Sequence, residues 1–295
     1  MLIDIRYHLT SLVAIFLALA VGILVGSSFI AGSSVKGLEK EFSKLRAENR
    51  QQVKAIENLR EEIKKHSEFE RAAAPVLVNG QLTARRIAII QTGDYSEAAQ
   101  RAKSIIEEAG GRVASVTTLS NLESRAARRR AVRAVELIAG ETEEQDPIGR
   151  VLEIVARCIA AGGDSEALGV LEDEGLLSRA GDYDRRVLHV ALIGGCKQER
   201  SRRAEHVDLV LIDKLIAEGA ITLVGAEPLD VGTSYISVYH RKAIPTVDNV
   251  DQPIGQVGLV YAMAGETGNF GVKRSADRIA PEYLESGLWR FGYRR

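Results

Sequence analysis

Residues 9–31 read LTSLVAIFLALAVGILVGSSFIA, with no charged side chain among them. A run this long exceeds a buried core helix and matches the roughly 20 apolar residues that cross a bilayer as a helix. As a helix, its backbone amides and carbonyls pair internally, which hydrocarbon requires. Asp4, Arg6 and His8 precede it, and a charged helical pattern begins at Lys36 behind it. A secretion signal fits less well. Such a peptide has a basic leader and an apolar core of about 7–15 residues, whereas here one Arg is offset by one Asp and the run is too long. Val25-Gly26-Ser27 has the small-residue pattern of a cleavage site, which makes cleavage the minority reading. The expectation is an uncleaved anchor from which the rest of the chain hangs.

The anchor has a distinct face. Ala14, Ala18, Gly22 and Gly26 recur every four residues, so four small side chains share one side of the helix. Another helix backbone can approach closely there. Glycine is common in membrane helices anyway, so a helix merely rich in Ala and Gly is the plain alternative.

Outward from the anchor, residues 33–72 follow a heptad pattern. Position a falls on Val35, Phe42, Asn49, Ile56 and Ile63, and position d on Leu38, Leu45, Gln52, Leu59 and His66. Spacings of three and four alternate without a break, which is the 3.5-residue period of a left-handed supercoil. Glu41 at g and Arg46 at the next e attract across a parallel dimer. Asn49 at an a position fixes register and favours two strands at some cost in stability. Gln52 and His66 weaken the seam. A stripe this narrow suits a partner helix better than a globular core. Its reach is roughly 60 Å, and Pro75 is expected to end it. Gly32, Ser33, Ser34 and Gly37 read as a flexible connection between anchor and coiled coil.

From Arg86 the pattern becomes α/β. Ile87-Ala88-Ile89-Ile90 is an unbroken apolar run, as a buried parallel strand gives. Thr92-Gly93-Asp94 turns the chain, and a helix over 95–109 ends at Gly110-Gly111. A second strand follows over 112–119. Residues 120–182 read as helical, with helices over 121–139, over 147–161 after Pro147, and from Asp164 or Ser165 to near Gly175. Strands are expected over 187–193, 221–224 and 244–247, and helices over 200–218, 234–241 and 253–264. The fold class is thus α/β: a single N-terminal transmembrane helix, a coiled-coil helix, then a three-layer α/β domain with a mostly parallel, Rossmann-like sheet. The expected divisions are 1–32 for the membrane anchor, 33–74 for the coiled coil, 75–275 for the head and 276–295 for a tail.

Composition bounds the function. The chain has 295 residues, 27% of them charged, with a formal net charge of −1. No global field favours nucleic acid. The two cysteines, Cys158 and Cys196, form neither a disulfide framework nor a zinc pattern.

The opening IDIRYHLTSLVAIFLALAVGILVG resembles the N-terminus of the MctB family, described as copper transport outer membrane proteins. So do Thr246-Val247-Asp248-Asn249-Val250-Asp251, Gly255-Gln256 and GETGNFG at 265–271. Residues 120–185 match poorly. The resemblance implies a role in copper transport or homeostasis. The chain's own pattern does not describe a pore. One helix cannot line a channel without oligomerising, and a barrel would need many alternating strands of roughly 10 residues with aromatic girdles.

Copper(I) takes soft Cys and Met ligands, and imidazole suits copper generally. Cys158, Cys196, Met1, Met263 and His8, His66, His189, His206 and His240 are dispersed, with no CxxC, MxxM or HxxH. Both cysteines read as structural. No cofactor is expected from the residues themselves, and copper enters only through the resemblance. Gly194-Gly195 after a strand lacks the G-x-G-x-x-G pattern of dinucleotide sites and reads as a tight turn. Asp248, Asn249 and Asp251 follow a strand, where open α/β sheets place ligands, although a hydrogen-bonded turn feeding the Pro253 helix explains them better than a catalytic or metal site. Arg125, Arg128, Arg129, Arg130 and Arg133 are balanced by Glu136, Glu141, Glu143, Glu144 and Asp146, as on a solvated helix face. The tail from Trp289 to Arg295 mixes aromatics with Arg, fitting a lipid surface or a disordered end. No catalytic constellation stands out, so an enzyme is not expected.

The expected partners are the lipid bilayer, a second copy through the transmembrane and coiled-coil helices, and an envelope protein. Lys36, Lys40, Lys44, Arg46 and Arg50 outnumber Arg6. Basic-residue counting therefore puts the head inside, while the family resemblance puts it outside. The extracytoplasmic side is favoured.

Overall fold

This computed structural model describes the backbone of residues 5–140 and 146–281, and the side chains of these except at residues 5 and 28–38. It divides into two compact units, Met1–His66 and Ser67–Arg295.

The described residues of the first unit lie in helix α1, Ile5–Val78. Its segment Arg6–Ser27 has a mean hydropathy of 2.6 and is long and apolar enough to cross a membrane. Beyond it, Phe42, Leu45, Ile56, Leu59 and Ile63 all stand exposed, as do the polar Asn49 and Gln52 between them. The side chains of Val35 and Leu38 lie outside the described residues. Residues 32–37, expected as a flexible connection, are helical. Each Gly costs a helix only about 1 kcal/mol relative to Ala, and a helix already nucleated on both sides propagates through them.

Pro75 does not end α1, which runs three residues further. The proline removes one N–H and leaves the carbonyl four residues back without its usual donor, but that carbonyl belongs to exposed Arg71. Past the proline, Val78 packs with Ala74 and Leu82 into the head's core, and Tyr261 Oη donates to Leu77 O at 3.1 Å. Tertiary burial outweighs the local stop.

The second unit is mixed α/β. Its elements are β1 (Arg86–Gln91), α2 (Ser96–Glu108), β2 (Arg112–Leu119), α3 (Arg125–Ala139), α4 (Pro147–Ala160), α5 (Ser165–Asp173), β3 (Leu177–Gly181) and β4 (His189–Ile193). A π-helical turn, Ala204–Asp208, leads into α6 (Leu209–Ala217), β5 (Thr222–Ala226), α7 (Ile236–Tyr239), a 3-10 turn (His240–Lys242), β6 (Thr246–Val247), α8 (Pro253–Ala264) and β7 (Asn269–Phe270). The strand order is β3-β2-β1-β4-β5-β6-β7. All neighbours run parallel except β2 and β3.

Strand alternation splits the core in two. Val190 and Leu192 of β4 join α3, α4 and α6 on one face, whereas Ala191 and Ile193 join α2 and α8 on the other. Side-chain caps set several helix starts. Asp146 accepts from Gly149 N, and Asp164 from Ala167 N. Ser124 accepts from Ala127 N, so α3 begins at Arg125 rather than at 121. Two strands escape the sequence reading. β3 lies within the stretch expected to be helical, but it pairs antiparallel along the edge of β2 and buries only Leu177. β7 has two residues and is held by its register with β6.

Candidate functional site at the sheet's carboxyl edge

The chain leaves β1 toward β2 on one side, whereas β4 leads to β5 on the other. The strand ends between them form the crevice where open α/β sheets bind ligands. Here the crevice is stapled. Thr92 and Gly93 both donate to Ile193 O, at 2.9 and 3.1 Å, and Asp94 N donates to Gly195 O at 3.0 Å. A Cβ on Gly93 would collide with the carbonyl oxygens of Gly194 and Gly195, so glycine is the residue that allows this approach.

Asp94 holds the staple. Its Oδ2 accepts from Lys197 N at 3.0 Å and from Cys196 Sγ at 3.1 Å, and its Oδ1 accepts from Arg203 Nη1 at 3.2 Å. Burial pushes this carboxyl up, but the Lys197 amide, the Cys196 thiol and the Arg203 charge outweigh it and hold it below its ordinary value. Arg203 is nearly buried, and its Nη2 donates to the carbonyls of Leu119 and Ser120 at 3.1 Å. One guanidinium thus ties the end of β2 to the loop after β1. Beneath it, fully buried Asp208 accepts from Thr92 Oγ1 at 2.6 Å and from Tyr239 Oη. None of these roles was read from sequence. The available clue was that Thr92-Gly93-Asp94 and Gly194-Gly195 both directly follow strands.

Asp248, Asn249 and Asp251 come together beyond β6. Asp248 is buried and accepts from the amides of Val272 and Lys273, each at 2.9 Å. Asp251 accepts from Leu229 N at 2.7 Å. Asn249 O accepts from Gln252 N at 2.9 Å, while its buried Oδ1 has no protein partner. Lys273 Nζ reaches fully buried Glu227 at 2.6 Å, and Glu227 also accepts from Ser234 Oγ and Tyr235 N. Asp248 is thus spent on the amides just after GETGNFG, and Asp251 on the loop after β5. Beside Asp251 a cleft of about 220 Å³ opens between the starts of α2 and α8. Arg71, Arg101, Glu97, Asp230 and Asp251 border it.

The soft ligands stay apart. Cys158 donates to Asp164 O at 3.3 Å, and burial pushes its thiol up to about 11. Cys196 donates to Asp94 instead, and both thiols are free. Met263 is buried in the core. His206 Nδ1 lies 3.1 Å from Glu123, and His240 Nε2 lies 3.1 Å from Thr246 Oγ1. Burial, and then Arg85, pull His189 down. Among the described residues, no three His, Cys, Asp or Glu side chains converge as metal ligands. Met1, Glu141, Glu143, Glu144 and the aromatic tail from Trp289 lie outside the described residues.

On the small-residue face of α1, Ala14, Ala18 and Gly22 are exposed and Gly26 is half-buried. An added Cβ at Gly22 or Gly26 meets nothing within 4 Å.

A family model described as "Copper transport outer membrane protein, MctB" matches residues 2–281. Relatives named copper transporter MctB occur in Mycobacterium bovis and in two strains of Mycobacterium tuberculosis. Each is 28% identical over 120 residues, which is 40% of this chain. The match spans 38% of those relatives' length.

Proposed function

The chain belongs to the MctB family, and from that premise we propose that it is a single-pass, membrane-anchored dimer serving copper transport or homeostasis, with its head on the extracytoplasmic side. The family match over residues 2–281 carries this reading. The apolar segment Arg6–Ser27 supports the anchor. The exposed seam residues Phe42, Leu45, Ile56, Leu59 and Ile63 support a parallel two-stranded coiled coil. Residues 1–32 then serve as anchor, 33–74 as spacer and dimerisation element, and the remainder as head and tail. The head acts without catalysis and without a resident cofactor. It handles copper indirectly, through an envelope partner, because its thiols are buried singly and tied to different acceptors.

Deleting the gene should change growth across a copper series, and the wild-type gene should restore it. Identical copper responses in deleted and restored strains would remove the copper role. For topology, a cysteine introduced on the head should react with a membrane-impermeant reagent in intact cells, and protection would put the head inside.

A second reading is a membrane-anchored envelope scaffold or ligand-binding module with no direct copper site, whose head serves an envelope partner or small ligand rather than copper homeostasis. The cleft bordered by Asp251 favours it, because clefts at strand carboxyl ends are the usual ligand position in open α/β sheets. A deletion that leaves copper tolerance untouched but disturbs the envelope would select this reading.

A further inference from the structure

Asp208 ends the π-helical turn and is completely buried. Both of its hydrogen bonds fall on Oδ2, while Oδ1 has no protein partner. Arg203, directly before the same turn, shows the complementary deficit. Its Nη1 and Nη2 are engaged, but its buried Nε has no acceptor. An unmated donor and an unmated acceptor therefore stand one π turn apart, and such turns recur where backbones are adapted to a task.

The groups acting on Asp208 come from several elements. Its own turn presents Glu205, the residue directly before that turn is Arg203, the loop after β1 presents Thr92, and α7 presents Tyr239. Tyr235, directly before α7, also feels Asp208, Arg203 and Cys196, and Tyr239 also feels Glu227, directly after β5. Burial dominates and pushes the Asp208 carboxyl up to about 7. Thr92, Tyr239 and Arg203 pull it down, and Glu205 pushes it up.

We propose that Asp208 and Arg203 form a proton-operated latch on the crevice between β1 and β4. With the carboxyl protonated, Arg203 stays on Asp94 and the crevice is stapled. On ionisation the proton leaves to solvent, the guanidinium turns so that Asp208 Oδ1 takes the Arg203 Nε–H, and that turn carries Nη1 off Asp94 Oδ1. The direction follows from burial. A charge with no mate inside the core is costly, so ionised Asp208 draws in Arg203, the cation whose charge already acts on it and whose Nε is unmated. Asp94 is 35% exposed and keeps the Lys197 amide and the Cys196 thiol, so water can replace the guanidinium there. The latch sets access to the sheet's customary ligand position according to pH.

The test is hydrogen exchange on the full chain in detergent, read by mass spectrometry on peptides covering 92–97 and 194–200. Rates at each pH from about 5.5 to 8.5 are corrected for intrinsic exchange. Wild type should lose about tenfold or more of its protection, with a midpoint near pH 7. Asp208→Asn should show no such transition. Tyr239→Phe should move the midpoint upward, because Tyr239 donates to the carboxylate and favours ionisation. Constant wild-type protection, an unchanged transition in Asp208→Asn, or a downward move in Tyr239→Phe would each overturn the latch. If Asp208→Asn fails to fold, the wild-type and Tyr239→Phe curves decide.

Discussion

Gly93→Ala tests whether the two loops at the crevice approach as closely as the backbone places them. Gly93 is not in a left-handed conformation, so alanine meets no backbone strain there, and any cost comes from space alone. The added methyl collides with the carbonyls of Gly194 and Gly195, which are backbone and cannot rotate away. Overpacking of this kind costs about 1–3 kcal/mol. Relief requires the loops to part, which weakens Gly93 N to Ile193 O and Asp94 N to Gly195 O, at about 1 kcal/mol each. The sum is about 3–5 kcal/mol. For a head of roughly 200 residues, calorimetry on the full chain should show a Tm lower by about 6–20 °C. Gly140→Ala is the control. It adopts φ +69 with nothing within 4 Å, so its only cost is the left-handed conformation, about 1–2 kcal/mol. If Gly93→Ala is no worse than Gly140→Ala, the loops do not touch and the stapled crevice is wrong.

Asn49→Ile should raise the stability of the associated helices and loosen their preference for two strands toward three, as sedimentation of the isolated segment would report; a wild-type segment that stays monomeric at high concentration removes the coiled coil. Gly22→Ile should weaken association in a membrane two-hybrid reporter while Leu19→Ile, off the small-residue face, should not, and equal effects mean that this face is no interface. A fragment beginning at Ser67 should bind copper(I) weakly against a competing chelator, because a tight site needs converging soft ligands; stoichiometric binding abolished by Cys158→Ser or Cys196→Ser would make the head a direct carrier. Asp94 has a lowered pKa in the fold, so its stabilisation is present above its unfolded value near 3.9 and is lost as pH falls through the folded value. Asp94→Asn should therefore cost stability at neutral pH, with the gap to wild type closing on acidification, and a gap that is constant with pH contradicts the staple.

What the residues settled alone are the features whose cause is local. The apolar span lacks charge over a bilayer's width, and no tertiary contact is needed to read it. The β1-α2-β2 unit was legible because an unbroken apolar strand, a polar turn and a Gly-Gly stop lie within one short window. Helices α4 and α8 were legible from the prolines that open them. Tertiary structure decided the rest, because the stabilising partners lie far apart in sequence. Pro75 was overruled by the burial of Val78 and by a hydrogen bond from Tyr261. β3 owes its existence to an edge of β2, since one buried leucine in five residues leaves no strand pattern to read. The role of Asp248 depends on amides at Val272 and Lys273. The crevice took its character from Asp94, Cys196, Arg203 and Asp208, which no motif links. Their meaning arises only once three parallel strand ends are side by side, since a carboxylate's partners are set by distance and burial rather than by its neighbours along the chain.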